Sequence, residues 1–350
     1  MKAAVLIGAK SFDYMYVDRP ELQPGEVLVR VKAVGICGTD KELYDGTMPF
    51  FEMGLAKYPL IPGHEWAGVV EDTGDGVASL SAGDKVTGDV SIGCGKCLFC
   101  KNGLYSLCDN RREVGISGGK DGAFADFVVM PEQFTYRFPD NLTFEEAAMT
   151  ETTATVVKSI WKAPIRLGQV VLVLGAGPIG LMALQAAKTA GAGQAIMADR
   201  LQSRLDVATQ VGADVIVNTT HQDLLATVKD MTQGRGVDYV IEASGSVALA
   251  AMASSLTKNA GVINTLGIYT TKVPEFDLAD IVLRDITLSG SVASPNVYEA
   301  TLRLMGTGRI QTGPCISHRF GLKDVAQAMT LLDETDTDHI KMMLYPEGLD

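Results

Sequence analysis

Four of the six cysteines of this 350-residue chain lie in one short segment, at Cys94, Cys97, Cys100 and Cys108. Thiolates at this spacing can close a tetrahedron around Zn²⁺ and leave no open coordination position, which is typical of a structural site. An iron–sulfur cluster is an alternative, because three cysteines spaced by two residues also suit one. Four free thiols on a loop are the third interpretation. Cys108 is not followed by the proline of bacterial ferredoxin runs, which favours zinc.

A second set of possible metal ligands is spread along the first 151 residues. Cys37 lies in GICGTD at 35–40, His64 lies in GHEWAG at 63–68, and Glu151 follows much later. Thiolate, imidazole and carboxylate together form a ligand set suited to zinc with an exchangeable fourth position. A lone cysteine such as Cys37 in an apolar strand is more often a small core residue than a ligand. The joint pattern, with glycines that let a substrate approach the backbone, predicts a catalytic metal site.

Residues 170–199 combine an apolar strand, a glycine-rich turn, a helical pattern and an acidic residue. The turn consists of Gly175, Ala176, Gly177, Pro178, Ile179 and Gly180, with the G-x-G-x-x-G spacing. Its glycines permit a tight turn, a close approach to pyrophosphate and close helix–strand packing, and the helix N-terminus offers N–H groups to the phosphates. Asp199 stands 19 residues after Gly180, where an acid holds the adenosine ribose and favours NAD over NADP. The adjacent Arg200 weakens that preference.

Two kinds of scaffold are needed to position these groups. Residues 1–152 are rich in glycine and proline, and we expect a β-rich, barrel-like domain there, with the four-cysteine lobe at about 90–110. Strand and helix patterns alternate over 153–293, which predicts a doubly wound parallel sheet of the Rossmann type. We expect residues 294–350 to return to the first domain and make it discontinuous. The predicted fold class is therefore α/β.

The individual element predictions follow hydrophobic periodicity. Strands are expected at 3–7, 26–33, 66–71, 85–88, 124–129, 170–174, 195–198, 214–218, 237–242, 261–266 and 286–292. Helices are expected at 181–190, 202–211, 224–232, 247–258, 297–305 and 322–332.

The bulk composition is that of a globular enzyme, with 47% hydrophobic and 21% charged residues. A formal net charge of −12 disfavours nucleic acid and membrane surfaces as partners, because their phosphates would be repelled. No apolar run reaches the ~20 residues that span a bilayer, and the first residues read as a strand rather than a signal peptide. We therefore expect a cytoplasmic chain, in which clustered cysteines indicate metal rather than disulfides.

The chain resembles the zinc-dependent medium-chain dehydrogenase/reductase family, which includes alcohol, sorbitol, threonine and archaeal glucose dehydrogenases. GICGTD, GHEWAG, the four-cysteine lobe and VLGAGPIG with its downstream Asp199 carry the resemblance, and PGEVLVRVKAVGICGTD, GAFADFVV and RFGLKDVAQAM also match. The resemblance covers nearly the whole chain. It implies a GroES-like catalytic domain, one catalytic and one structural zinc per chain, NAD, and a homodimer or homotetramer paired through the edge of the nucleotide-binding sheet.

The same resemblance implies roles around the catalytic zinc. Cys37 and His64 would bind the metal in the cleft beside the nicotinamide, while Glu65 and Glu151 would share the third ligand position, one of them through water. The family's usual Glu-Pro is Glu151-Thr152 in this chain. Zinc would lower the pKa of the substrate hydroxyl, so that the alkoxide expels hydride onto the nicotinamide.

Two further residues resemble a proton relay. Thr39 occupies the position of the hydroxyl that takes the alcohol proton, with a strand-end hydroxyl bonded to backbone as the alternative. Many relatives continue the relay with a histidine five residues after the zinc cysteine, where this chain has Glu42. Glu42 either passes the proton, or hydrogen-bonds a hydroxylated ligand, or is a solvated carboxylate at a helix start.

Cofactor contacts carry over by position in the same way. Arg204 resembles a basic residue that reaches the adenosine ribose, and Lys341 resembles a pyrophosphate partner. Leu266 and Ile268 lie where backbone groups meet the nicotinamide amide.

The substrate is the least constrained feature. The Cys-Gly-Thr-Asp-x-Glu run is similar to that of archaeal glucose dehydrogenases, and Glu42, Glu113, Glu151 and Asn296 are polar candidates for substrate contacts. We predict zinc- and NAD-dependent oxidation of a secondary alcohol of a polyol, a sugar or an aminocyclitol to the ketone. The alternatives are a dehydrogenase of simple alcohols or threonine, a zinc-free quinone-type reductase, and a non-catalytic zinc protein that senses a dinucleotide.

Overall fold

The chain forms two compact units, which we call the β-rich unit and the parallel-sheet unit. The computed structural model describes residues 1–269, 276–334 and 337–349. The β-rich unit comprises Met1–Ala154, Ala293–Gly306 and Ile316–Asp350, and the parallel-sheet unit comprises Thr155–Val292 and Thr307–Cys315. Residues Thr307–Cys315 belong to the parallel-sheet unit, whereas the boundaries expected from sequence place all of 294–350 in the first domain. Gln185 accounts for part of it, since its side chain hydrogen-bonds the backbone of Gln311 through both its nitrogen and its oxygen.

The strands, in chain order, are β1 (Lys2–Gly8), β2 (Ser11–Tyr16), β3 (Glu26–Gly35), β4 (Glu65–Thr73), β5 (Lys85–Gly88), β6 (Ser91–Ile92), β7 (Arg112–Glu113), β8 (Phe127–Pro131), β9 (Thr135–Arg137), β10 (Val170–Leu174), β11 (Gln194–Asp199), β12 (Val215–Asn218), β13 (Val237–Glu242), β14 (Thr257–Thr265), β15 (Thr287–Gly290), β16 (Ile316–Gly321) and β17 (Lys341–Tyr345).

The α-helices are α1 (Gly38–Asp45), α2 (Pro49–Glu52), α3 (Leu98–Lys101), α4 (Phe144–Ala148), α5 (Thr150–Lys162), α6 (Pro178–Thr189), α7 (Gln202–Gln210), α8 (Leu224–Met231), α9 (Val247–Leu256), α10 (Leu278–Leu283), α11 (Tyr298–Gly306) and α12 (Val325–Leu331). Short 3₁₀ helices occupy Tyr105–Leu107, Glu132–Phe134, Gly313–Cys315 and Leu322–Asp324.

The parallel-sheet unit is built on six strands in the order β12-β11-β10-β13-β14-β15. Every neighbouring pair is parallel. The strand order reverses between β10 and β13, which is the switch point where open α/β sheets bind ligands. The centre of the sheet is buried on both faces, as the unbroken apolar run Val170–Leu174 predicted. The predicted α/β class, with a doubly wound sheet beside a separate β-rich unit, is confirmed.

The β-rich unit is organised by the long strand β3. Antiparallel β4 and β8 and, at its C-terminal end, β17 pair with it, and the sheet continues through β5 and β9. Apolar side chains of this sheet and of β1 enclose a core that includes Val29, Val31, Trp66 and Phe124. This pairing sets the functional geometry, because it brings the end of β3, the start of β4 and the start of β17 together.

Among the described residues, no helix combines the length and apolar character needed to cross a membrane.

Candidate active site and metal centres

The four cysteines of the lobe converge as their spacing predicted. The sulfur atoms of the four cysteines all lie within 4.8 Å of one another. Cys97 precedes α3 and its sulfur accepts from the Cys100 backbone N–H at 3.4 Å. Backbone N–H groups of Lys96 and Cys97 lower the pKa of Cys94 to about 6, which favours the thiolate that metals require. Four converging sulfurs with no carboxylate or imidazole among them suit a closed zinc site.

A glycine makes room for this cluster. A Cβ at Gly93 would lie 2.7 Å from the Cys100 sulfur and 2.6 Å from the Cβ of Tyr105. A larger residue at position 93 would therefore displace the Cys100 sulfur from the cluster. The close approach at Gly93 ties the lobe to Tyr105, whose ring packs edge-on against Phe134 of the β-rich unit.

The second ligand cluster forms where β3 ends and β4 begins. Gly35, the last residue of β3, pairs with Glu65, the first residue of β4, so Cys37 and His64 lie just beyond the paired ends. Ligand atoms of Cys37, His64 and Glu65 lie within 4.8 Å of one another. A Cβ at Gly35 would stand 2.3 Å from Glu65 Oε2, so this glycine is needed for the carboxylate to reach the cluster. Sulfur, imidazole and carboxylate in a buried group suit zinc.

Asp40 positions the residues of this cluster, a role that was not predicted from the sequence. Its fully buried carboxylate accepts from the backbone N–H of Cys37 at 2.9 Å and of Gly63 at 3.2 Å. His64 Nδ1 lies 3.5 Å from Asp40 Oδ1 and has no closer partner among the described residues. A buried carboxylate beside one ring nitrogen is typical of the contacts that orient a metal-binding histidine. The sequence feature that could have indicated this role is an acidic residue three positions after Cys37, at the start of a helix.

The electrostatics of His64 reflect the same contact. Burial alone would lower its pKa, but the negative charges of Asp40 and Cys37 raise the pKa of His64 well above its usual value. A bound cation would take over the role of that proton, since metal binding requires neutral imidazole. The donor set therefore fits a divalent metal.

Glu65 has two strong hydrogen-bond donors beside it. Thr152 Oγ1 donates to Oε1 at 2.8 Å, and Lys341 Nζ donates to Oε2 at 2.5 Å and to the Ile36 carbonyl at 3.1 Å. Burial would raise the pKa of Glu65, but the ammonium of Lys341 and the charge of His64 lower it. The predicted pyrophosphate role of Lys341 finds no support in this placement: the ammonium is buried in the β-rich unit, because β17 starts beside the end of β3.

Glu151, the other candidate for the third ligand position, is also buried. It is not a member of the cluster formed by Cys37, His64 and Glu65 among the described residues. The pKa of Glu151 is raised to about 7, mainly by burial; the charge of His64 opposes the shift, and the charges of Glu65 and Asp89 contribute to it. Glu151 therefore lies within electrostatic reach of the cluster.

The predicted relay residues both lie on α1, which starts directly after Cys37. Thr39 and Glu42 are half-buried and stand three residues apart, so they share one face of the helix. Burial raises the pKa of Glu42.

The two remaining candidates for substrate contacts have partners at the lobe. Glu113 accepts from Arg111 Nε and from Ser117 Oγ, each at 3.0 Å. Asn296 donates from Nδ2 to the Gly103 carbonyl at 2.6 Å, and its N–H donates to the Tyr105 hydroxyl at 3.1 Å. These contacts give both side chains a role in holding the lobe.

The glycine-rich turn lies between β10 and α6. Gly175 has φ +95°, and a Cβ there would lie 2.7 Å from Ser244 Cα; a Cβ at Gly180 would lie 1.7 Å from the Gly175 carbonyl oxygen. At Gly177 a Cβ would meet no atom of the described chain within 4 Å. Pro178 and Ile179 then open α6. The turn leaves open space at the N-terminus of a twelve-residue helix, which suits a phosphate group.

Asp199 ends β11 next to this turn. Its carboxylate accepts from the Ala176 N–H at 2.7 Å and from the Leu201 N–H at 2.9 Å. Burial lowers the pKa of Arg204 and the charge of Asp199 opposes that shift, so the two charges interact. The ribose contact of Arg204 stays a prediction. Leu266 and Ile268 follow β14, and the Leu266 N–H donates to the Glu242 carbonyl at 2.8 Å while the Ile268 side chain is exposed.

Comparison with known proteins gives matches along nearly the whole chain. Residues 23–140 match the family model described as Alcohol dehydrogenase GroES-like domain, and residues 178–307 match the model described as Zinc-binding dehydrogenase. A sorbitol dehydrogenase of Bacillus subtilis (strain 168) is 30% identical over 347 residues, which cover 99% of this chain and 97% of that protein. An L-threonine 3-dehydrogenase of Pyrococcus abyssi is 33% identical over 349 residues, covering 98% of this chain and 97% of that one. The structure of a Sinorhizobium meliloti 1021 protein bound to NADP is similar with a TM-score of 0.90 and 31% identity, over 99% of both chains.

Proposed function

Because the chain belongs to the zinc-dependent medium-chain dehydrogenase family, whose members are oxidoreductases that use zinc and NAD(P), we propose that it oxidises a secondary alcohol of a polyol, a sugar or an aminocyclitol to the ketone, with NAD as hydride acceptor. The observation that carries the proposal is the cluster of Cys37, His64 and Glu65, with Asp40 behind it. A bound zinc supplies Lewis acidity that makes a substrate hydroxyl more acidic.

The residues of this chain would hold the metal and move the proton. We assign Cys37, His64 and a carboxylate to the catalytic zinc, and the four lobe cysteines to a second, structural zinc. We assign Thr39 to receive the hydroxyl proton and Glu42 to carry it onward, since both lie on one face of α1. Burial raises the pKa of Glu42, which makes its carboxylate a stronger proton acceptor than an exposed one.

The preference for NAD rests on Asp199. Its carboxylate, fixed by the backbone N–H groups of Ala176 and Leu201, would accept from ribose hydroxyls and repel a 2′-phosphate. Arg200 follows directly and is exposed, so residual use of NADP is consistent with the proposal. The glycine turn before α6 would receive the pyrophosphate.

A hydroxylated substrate is favoured by the acidic and hydroxyl groups near Cys37. Glu42 and Thr39 provide acceptors and donors where a simple alcohol would need an apolar wall, and unmatched buried polar groups cost ~1–3 kcal/mol each. The sorbitol dehydrogenase relative is consistent with this substrate class. Threonine is the second candidate, because the Pyrococcus relative is named for that substrate and is as similar to this chain.

The test is a substrate panel. NADH formation would be followed with polyols, aldoses, inositols and aminocyclitols, and with threonine, ethanol and other simple alcohols at matched concentrations. We expect the highest kcat/KM on a polyhydroxylated secondary alcohol and a higher kcat/KM for NAD than for NADP. Activity confined to ethanol-like alcohols, or to threonine, would reject the substrate class while leaving the chemistry intact.

A further inference from the structure

The carboxylate of Glu65 is held at both oxygens by side chains from distant parts of the sequence. Thr152 donates to Oε1 at 2.8 Å, and Lys341 donates to Oε2 at 2.5 Å. All three side chains are buried. Because each oxygen accepts a hydrogen bond, the carboxylate cannot rotate freely about its last torsion angle. These two donors therefore fix its orientation towards Cys37 and His64.

The hydroxyl of Thr152 is used differently from those of its neighbours. Thr150 Oγ1 donates to the Ala147 carbonyl at 2.6 Å, and Thr153 Oγ1 donates to the Met149 carbonyl at 2.8 Å. Those are local bonds to backbone, as is usual for threonine in helices. Thr152 stands in the first turn of α5 and instead reaches a carboxylate 87 positions earlier in the chain. A local helical role does not account for that contact.

We propose that Thr152 is a positioning residue for the metal site: with Lys341 it fixes the Glu65 carboxylate against Cys37 and His64. The proposal rests on the proposed function, in that the cluster binds a metal. Each carboxylate oxygen has two lone pairs, so a hydrogen bond from Thr152 leaves capacity for a cation. Without the hydroxyl, Oε1 loses its buried donor and the carboxylate is free to turn its oxygens towards the ammonium of Lys341 and away from the cluster.

The chain departs from its resembled family at this position, where Glu-Pro is usual and Glu151-Thr152 stands here. A proline has no hydroxyl, so it could not make the contact that Thr152 makes with Glu65. The hydrogen bond is therefore a feature of this chain's own sequence.

The test measures metal binding rather than turnover. The metal-stripped full chain would be titrated with Co²⁺, whose visible absorption reports its ligands, and with Zn²⁺ against a competing chelator. The Cys37→Ser variant isolates the signal of this site from that of the four-cysteine lobe. Thr152→Val removes the hydroxyl at nearly constant volume, Thr152→Ser restores it, and Thr153→Val is the matched control that removes a hydroxyl bonded only to backbone.

We expect Thr152→Val to weaken metal affinity at the Cys37 site about 10- to 100-fold, as loss of such supporting hydrogen bonds commonly does, and to change the Co²⁺ spectrum of that site. Thr152→Ser should recover most of the affinity, and Thr153→Val should match the parent chain. An unchanged lobe signal shows that each variant is folded. Equal affinity and spectrum for Thr152→Val and the parent chain would overturn the positioning role. If Cys37→Ser removed no metal signal, the proposed function itself would fail.

Discussion

The carboxylate of Asp40 positions the metal-ligand cluster although Asp40 is not one of the ligands in that cluster. It bonds the N–H groups that flank the two ligand-bearing segments, at Cys37 and at Gly63, and it lies beside His64 Nδ1. One fixed negative charge therefore sets the position of the sulfur and the orientation of the imidazole together. Loss of a supporting contact of this kind typically costs a metal site about 10- to 100-fold in affinity or activity.

Asp199 provides a test of cofactor preference at the same scale. We expect Asp199→Asn to lower kcat/KM for NAD by roughly 10- to 100-fold, because a charged hydrogen bond is worth about 1.5–3 kcal/mol. The same change should improve the ratio of NADP to NAD use, since the charge that repels a 2′-phosphate is removed. Initial rates with both cofactors check this, and Asp206→Asn on the exposed face of α7 is the control. An unaltered cofactor ratio would remove Asp199 from the ribose site.

Asp89, which belongs to neither ligand cluster among the described residues, gives a pH-dependent prediction. It is buried among Tyr105, Tyr136, Tyr298 and Glu151, and burial raises its pKa from 3.8 to about 6 although Tyr105 donates to it at 2.6 Å. The folded chain therefore holds this proton more tightly than the unfolded chain. Stability from this group is present at low pH and is lost as pH rises from about 4 to 6, by ~3 kcal/mol in total.

The measurement is the free energy of unfolding of the parent chain and Asp89→Asn, by urea denaturation between pH 4 and 7. The variant lacks this titration, so its stability relative to the parent should increase across that range. Parallel pH profiles for the two proteins would show that Asp89 does not titrate there.

At the scale of elements, the strands that carry the nucleotide turn were predictable to within a residue or two. Val170–Leu174 is an unbroken β-branched and leucine run, and the following glycines fix where the strand must end. Predicted strand 261–266 is longer in the structure, where β14 begins at Thr257, and the predicted helix 247–258 correspondingly ends at Leu256. Helix and strand patterns overlap in that alternating stretch, so local periodicity does not settle the boundary.

Other elements depend on tertiary pairing and left little signal. The helix α5, with Thr152 in its first turn, is absent from the helices expected from sequence, and the run of threonines at its start has low helix propensity. The contact of Lys341 with Glu65 has no sequence signal, because it depends on β17 pairing with β3 across about 300 residues. Thr152 and Asp40 were missed for the same reason: a supporting hydrogen bond has no spacing rule, whereas ligand cysteines and phosphate-binding glycines do.

The four-cysteine lobe is an element held by few apolar contacts. Leu98, Phe99, Leu104 and Leu107 are all exposed on it, so we expect the bound metal to supply much of its stability. Cys97→Ser should lower bound zinc by one per chain and reduce the thermal midpoint by several degrees, as measured by elemental analysis and calorimetry. Cys315→Ala, at a buried cysteine outside both clusters, should retain all the zinc. A Cys97→Ser protein with full zinc and unchanged midpoint would contradict this assignment.

At the scale of the molecule, the parallel-sheet unit ends in an edge strand that has no further strand beside it among the described residues. β15 is the last strand in the order, and Val282, Leu283, Leu288 and Val292 near it are exposed. Exposed edge strands with apolar flanks invite pairing with a second chain. We propose a homo-oligomer in which two copies pair through β15, which is the arrangement the family resemblance also implies.

Light scattering of the purified protein tests this proposal. The parent chain should have the mass of a dimer or a tetramer, and Leu288→Lys with Leu283→Glu should halve it by placing charges in the interface. Leu167→Lys, at an exposed leucine of the same unit, should leave the mass unchanged. A monomeric parent chain, or a variant with the parent mass, would exclude pairing through this edge.

The proposed oxidation requires a metal at Cys37 and His64 that acts on an alcohol, so the decisive measurement is the zinc content of Cys37→Ser together with its rate of NADH formation on the best polyol. We expect two zinc per parent chain and one per variant chain. The variant should lose at least about 10³-fold in kcat, because Lewis acidity is worth several kcal/mol, while its NAD affinity stays unchanged. Two zinc per variant chain, or turnover close to that of the parent chain, would rule out a catalytic metal at Cys37 and His64.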